Sequence, residues 1–221
     1  MEALSVDKFT AIKISDTEVV KRVLKGEKEL FEILIRRNNQ TLYRVIRSYL
    51  NSEDDIKDIM QDSYIKAYQK LEQFNEMAAF STWLIRIGIN EALQFLRKSK
   101  RVSNNFGKKE TIDAVFQLPD TNQMNPEKQL IKIETRALVE RAIDLLSEKY
   151  RAVFVLHEVE GMTNPEIAAC LDLSDANVKV RLHRAKKYLK EELYKLSSDA
   201  TVFEFGNHKC DAVVLNVMGR I

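Results

Sequence analysis

The chain has 221 residues, enough for one large domain or two small ones, and its formal net charge is only +2. Any affinity for nucleic acid must therefore come from local patches rather than from a global field. Only six Gly and three Pro occur, which favours an all-helical fold; no long apolar run predicts a transmembrane helix; and the two cysteines, Cys170 and Cys210, suit a reducing cytoplasm rather than a disulfide framework.

The opening residues MEALSVDKFTAIKISD lack an apolar run behind a basic start and do not read as a signal peptide. Helical periodicity is dense over residues 17–100. Within that block, EDDIKDIMQD (residues 53–62) holds five acids against one lysine. Ile56, Ile59, Met60, Tyr64, Ala67, Tyr68 and Leu71 recur at three- and four-residue intervals, the core face of a long amphipathic helix. Asp58, Gln61 and Asp62 fall together on the other face. Such an acidic patch fits a basic protein partner better than DNA.

Residues Phe74 to Ala79 break the helical run, and Ser81 or Thr82 is placed to cap a new helix from Trp83 onward. Phe80, Trp83, Leu84, Ile87, Leu93 and Leu96 read as core, Trp83 included, since a lone Trp inside an apolar stripe packs more often than it stacks on a base. Arg86, Asn90 and Arg97 share a polar face, and Arg97, Lys98, Lys100 and Arg101 make a basic end. A short loop beside such a helix has what an extruded base needs, a pocket and charge to anchor the strand.

Residues 102–126 are rich in Asn, Asp, Thr and Lys and contain Gly107, Pro119 and Pro126, the composition of a linker. Periodicity resumes over 127–196. There, TNPEIAACLDLSDANVKVRLHRAKKY (residues 163–188) reads as two short helices joined by a tight turn. Thr163 and Glu166 form a capping-box pattern with Pro165 in the first turn, Asp172 stands at the turn, and Ser174 offers a second N-cap. Ile167, Ala168 and Leu171 stripe the first helix. Val178, Leu182 and Ala185 turn inward on the second, which sends Lys179, Val180, His183, Arg184 and Lys187 outward together. Between Asn177 and Lys190 stand the bases Lys179, Arg181, Arg184, Lys186, Lys187 and Lys190, and no acid. Helix, turn and basic helix is the layout that seats a recognition helix in a DNA major groove.

In the tail, residues 197–221, Ala212, Val213, Leu215, Val217 and Met218 have helical apolar spacing. His208 and Cys210 are too few for a metal site, so no metal and no cofactor are expected. Two other classes of function remain in view. A dimeric operator-binding regulator would need a dimerisation face or a ligand pocket. A metal-dependent enzyme built on Asp54, Asp55, Asp58 and Asp62 lacks a convergent histidine or a glycine-rich loop.

Two blocks, DIMQDSYIKAYQKLEQF with FSTWLIRIGINEALQFLRKSKR, and LLSEKYRAVFVLHEVEGMTNPEIAACLDLSDANVKVRLHRAKKYL, occur in order and at the right separation. The chain resembles a bacterial RNA polymerase sigma factor of the extracytoplasmic-function (ECF) class over about residues 15–195. The resemblance implies an all-α fold with a region 2-like domain over 1–101, a linker over 102–126, a region 4-like helix-turn-helix domain over 127–196, and a tail of unassigned role over 197–221. It implies that Asp58, Gln61 and Asp62 bind the coiled coil of the polymerase's largest subunit. Asn75, Arg86, Asn90, Arg97 and Lys98 would read and melt the downstream (-10) element. Lys179, Val180, Arg181, His183, Arg184 and Lys187 would read the upstream (-35) element. Promoter DNA, core polymerase and an anti-sigma factor are the implied partners, the location is cytoplasmic, and the chain itself makes and breaks no bond. Val180 stands where a small polar residue is frequent, so the upstream preference does not transfer from relatives; Asp172 stands where glycine is frequent.

Overall fold

The structure is a computed structural model that describes residues 14–103, 126–198 and 218. Every regular element among the described residues is helical. Helix α1 (Asp16–Leu24) starts at Ser15, whose hydroxyl accepts the Glu18 N–H at 3.2 Å. It buries Val19, Val20 and Val23. A 3-10 turn (Lys28–Leu30) leads into α2 (Phe31–Arg47), whose buried face carries Phe31, Leu34, Leu42, Val45 and Ile46. Asn38 is buried on that face too, and its amide donates to the Leu34 carbonyl at 2.8 Å, which meets the cost of hiding it.

Helix α3 (Glu53–Gln69) is capped by Ser52 and buries Ile56, Ile59, Tyr64 and Ala67. The Tyr64 hydroxyl donates to the Ile35 carbonyl at 3.1 Å, pinning α3 to α2, and burial pushes its pKa well above the usual phenol range. Tyr68, expected in the core, is 44% exposed: it lies at the edge of the stripe and meets Phe31 edge-to-face at 5.1 Å between ring centroids.

Helix α4 (Phe80–Ser103) begins earlier than expected. The Ala79 carbonyl already accepts the Trp83 N–H, so Ser81 and Thr82 sit inside the first turn and do not cap. Its core face is Phe80, Leu84, Ile85, Ile89 and Ala92. Gly88 is buried where α4 crosses α2, and a Cβ there would stand 2.6 Å from Leu42 Cδ1. The glycine is what permits so close an approach.

Helix α5 (Pro126–Asp144) precedes α6 (Glu148–Phe154), which runs into a π turn (Val155–Val159). Gly161, at φ 69°, then reverses the chain. Helices α7 (Asn164–Leu171) and α8 (Asp175–Ser198) form the helix-turn-helix, with Asp172 left-handed at φ 53°, ψ 52°. The chain falls into two compact units: residues 1–123 with 146–186, and residues 124–145 with 187–221. The first unit therefore joins the N-terminal helices to the helix-turn-helix in one apolar core, in which Leu156, Met162, Ile167, Cys170, Val178 and Leu182 are continuous with the core of α1–α4. Of the expected linker over 102–126, Val102 and Ser103 end α4 and Pro126 opens α5; its remaining residues and nearly all of the tail lie outside the described residues.

Candidate functional surfaces

On α3, the hydrophobic stripe decides which way the acids point. With Ile56, Ile59 and Tyr64 inward, Asp58, Gln61 and Asp62 stand exposed. Of the lysines on α3, Lys57 leans to the helix start, 3.4 Å from Glu53 Oε2 and 4.0 Å from Asp54 Oδ1, and Lys66, four positions beyond Asp62, is bonded to Glu91 instead. No ion pair to Asp58 or Asp62 occurs among the described residues, and both face solvent. Ile65 lies three positions beyond Asp62 and is 56% exposed, an apolar centre beside the acids. Its place off the apolar stripe was the available sequence signal.

The α3–α4 connection is held open by local geometry. After a 3-10 turn (Leu71–Gln73), the Asn75 side-chain oxygen accepts the Met77 N–H at 3.3 Å, and Glu76 is left-handed at φ 60°. Lys21 holds Glu76 at 3.1 Å. Met77 is thereby thrust out, 87% exposed. Phe74, Phe80 and Trp83 pack as an aromatic trio with centroids 5.6–5.7 Å apart, so Trp83 is half-buried beneath the loop.

Beyond the trio, Arg86, Asn90, Arg97 and Lys98 are all exposed along α4. Asn90 opens onto a cavity of about 180 Å³ that Lys66, Lys70, Ile87, Glu91 and Gln94 complete. Glu91 is buried there and bonded to Lys66 at 2.5 Å. Lys66, Lys70 and Glu91 were not singled out in the sequence, because they come together only through the packing of α3 on α4.

In the helix-turn-helix the local signals do what their chemistry dictates. The Glu166 carboxylate accepts the Thr163 N–H at 2.8 Å and the Thr163 hydroxyl at 2.7 Å. The backbone bond first, and then the hydroxyl, hold this carboxyl below the usual range. Ser174 Oγ accepts the Asn177 N–H at 3.2 Å and starts α8. Val178, Leu182 and Ala185 are buried, and Lys179, Val180, His183, Arg184 and Lys187 are exposed as one face, with Arg181 half-buried at its edge.

Five of the six bases between Asn177 and Lys190 already stand against nearby groups. Lys179 sits 2.8 Å from Asp175, Lys186 2.8 Å from Glu158, and Lys187 4.0 Å from Glu191. Arg184 reaches the Tyr150 hydroxyl at 3.5 Å, and Arg181 donates to Asn177 Oδ1 at 3.0 Å. The Lys186 ammonium keeps the Glu158 carboxyl below its usual range, with His157 adding to it.

Two polar contacts tie the helix-turn-helix to the N-terminal helices inside the first unit. Arg44 of α2 grips Glu160 with two bonds, Nε to Oε1 at 2.5 Å and Nη2 to Oε2 at 3.1 Å. The Cys170 thiol points at the Thr82 carbonyl, 3.8 Å away, and burial pushes its pKa up to about 11, which makes it an inert packing group. Among the described residues no cluster of His, Cys, Asp and Glu is suited to a metal ion, and no helix is long and apolar enough to cross a membrane.

Comparison with known proteins follows the same division. The family described as Sigma-70 region 2 matches residues 34–102, and Sigma-70, region 4 matches residues 136–189. The chain is 31% identical over 188 residues to the ECF RNA polymerase sigma-E factor of Salmonella typhimurium, covering 83% of this chain and 97% of that protein. It is 30% identical to the Escherichia coli (strain K12) sigma-E factor over the same shares. Among solved structures, CnrH in complex with the cytosolic domain of CnrY aligns at a TM-score of 0.54 and 25% identity, covering 84% of this chain and 99% of that one. The sigma factor RpoE, in complex with the anti-sigma factor NepR from Bartonella quintana, aligns at 0.62 and 21% identity, covering 74% and 96%. With two region matches in order and sigma-E relatives aligned over most of its length, the chain belongs to the ECF class of RNA polymerase sigma factors.

Proposed function

We propose that three separate surfaces divide the work of taking polymerase to a promoter. Asp58, Gln61 and Asp62, with Ile65 at their centre, bind the coiled coil of the polymerase's largest subunit. Asn75 on the loop and Arg86, Asn90, Arg97 and Lys98 on α4 read and hold the melted downstream element. Lys179, Val180, Arg181, His183, Arg184 and Lys187 read the upstream element from the major groove. Residues 1–101 form the polymerase-binding and melting block, 102–126 the linker that passes through the polymerase, and 127–196 the upstream-reading block.

The observation that carries this reading is the segregation of charge. Asp58 and Asp62, without an ion pair among the described residues, stand on one helix face of α3, while the outward face of α8 carries bases. A single DNA-binding surface has no use for the first; a protein partner with a basic coiled coil does. The chain performs no chemistry of its own in this reading and works in the cytoplasm. Because CnrH was solved with a protein partner, and because the family resemblance implies one, an inhibitory anti-sigma factor belongs to the same proposal.

The test is run-off transcription with purified core polymerase on a pool of genomic promoter fragments, with and without the protein. Specific transcripts support the reading and give the promoter sequence. No transcript and no co-migration with core overturns it in favour of a stand-alone DNA-binding regulator.

A further inference from the structure

The second compact unit carries a groove of which the sigma-factor reading uses only Lys187. One wall is α5, which presents Thr135, Leu138 and Val139 at i, i+3 and i+4. The other is the end of α8, which presents Lys187, Lys190, Glu191 and Tyr194 at i, i+3, i+4 and i+7, with Leu193 and Lys195 beside them. The groove measures about 850 Å³. Its floor is apolar: Leu138, Val139, Leu193, Tyr194 and the lysine stems, which lie along apolar surface while their charges reach water. Two helical stripes facing one trough are two-thirds of a three-helix bundle.

The chain holds a segment that fits as the third. Helix α8 ends at Ser198, three residues past Lys195 on the groove wall, and the chain continues to Ile221. In that continuation Cys210, Val213, Val214, Val217 and Ile221 recur at helical spacing, a single apolar stripe. The eleven residues 199–209 reach about 36 Å when extended, while the groove-lining stretch of α8 from residue 187 to 195 is about 12 Å long.

We propose that residues 210–221 of this same chain dock as a helix in the groove between α5 and the end of α8, Cys210 and Val213 facing Leu138 and Val139. The docked segment completes the core of the second unit. It stands independently of the promoter reading, because it concerns a face that no assigned contact except Lys187 touches.

Disulfide trapping in the full-length chain tests it. Val139→Cys places a thiol on the wall within reach of native Cys210, and Arg136→Cys on the neighbouring face is the control. Under mild oxidation the expected result is a rapid intramolecular 139–210 disulfide in monomers and none at 136. Disulfide-linked dimers alone would put a second copy in the groove and overturn the proposal. Equal, slow reaction at both positions would overturn it too. A second measurement needs no new cysteine: thiol labelling of Cys210 in the native chain, with buried Cys170 as internal reference. Leu138→Asp should speed labelling of Cys210 by at least about 10-fold through loss of the docked state, without changing Cys170. Fast labelling in the unsubstituted protein would sink the idea.

Discussion

Arg44 and Glu160, 116 residues apart in the chain, meet in a two-bond guanidinium–carboxylate pair, with the Glu160 side chain only 5% exposed. Removing the arginine leaves a buried carboxylate without its partner. Arg44→Ala should therefore destabilise the first unit by about 2 kcal/mol, below the usual cost of breaking a fully buried pair because Arg44 itself is 37% exposed. Urea unfolding of Arg44→Ala, Glu160→Gln and the double variant measures it. Additive losses in the cycle would mean the pair contributes no coupling.

The same pair bears on promoter reading. Elements named -10 and -35 lie roughly 25 base pairs apart, or about 85 Å at 3.4 Å per pair. A compact unit the size of the first spans only about 40 Å. If both blocks read one promoter, they separate to do so, and Arg44→Ala should leave transcription unchanged or raise it even as stability falls. A loss of transcription larger than the loss of folded protein would count against that separation.

Charge reversal at Asp62 tests the acidic face. Asp62 is exposed and has no ion pair among the described residues, so Asp62→Lys should leave the fold intact and abolish co-migration with core polymerase. Normal co-migration with an unchanged circular-dichroism spectrum would remove this patch from the interface.

Arg184 tests the other end. Arg184→Ala should spare polymerase binding and weaken upstream-element recognition by about 1–3 kcal/mol if the side chain reads a base. Equal weakening on all sequences in a gel-shift titration would reduce its role to a phosphate contact.

Gly88 is a packing prediction. A methyl at this position meets Leu42 Cδ1 at 2.6 Å, so Gly88→Ala must shift the leucine or the helix, at a cost of about 1–3 kcal/mol. Leu42→Val in the same chain should recover part of the loss in thermal unfolding.

The Glu166 carboxyl gives a pH dependence with a defined sign. Its folded pKa lies below that of the unfolded chain, because ionised Glu166 accepts the Thr163 N–H and hydroxyl. The stabilisation is present above the ordinary glutamate pKa and is lost as pH falls through the depressed folded value. Glu166→Gln should flatten the acid limb of the stability profile, and an unchanged limb would show that the capping box does not contribute to it.

Local chemistry made the helix-turn-helix readable from sequence. Thr163, Glu166, Asp172 and Ser174 act on backbone groups within a few residues of themselves, so their effect needs no knowledge of the rest of the chain. The acidic face of α3 was readable for the same reason, since helical period alone separates Asp58 and Asp62 from Ile56 and Ile59. What escaped depends on distant packing. Gly88 matters only because Leu42 crosses it, Glu160 only because Arg44 arrives, and the cavity at Asn90 only because Lys66 and Lys70 come from another helix. The start of α4 escaped for a subtler reason: Ser81 and Thr82 are good caps by type, yet Phe80 is buried against Phe74, and the helix starts three positions earlier than Trp83.

The carboxylates beside the basic helix change how this protein should respond to salt. If Lys179, Arg181, Arg184, Lys186, Lys187 and Lys190 each neutralised a phosphate with no prior partner, the log–log salt slope for duplex binding would be about −5. Asp175, Glu158 and Glu191 already stand against three of those lysines. Each such lysine trades a protein anion for a DNA anion, and the carboxylate it leaves must gather a cation of its own. The entropy of ion release is partly returned, so the slope should sit nearer −3, and recognition should hold at ionic strengths that would strip an unpaired helix from the duplex.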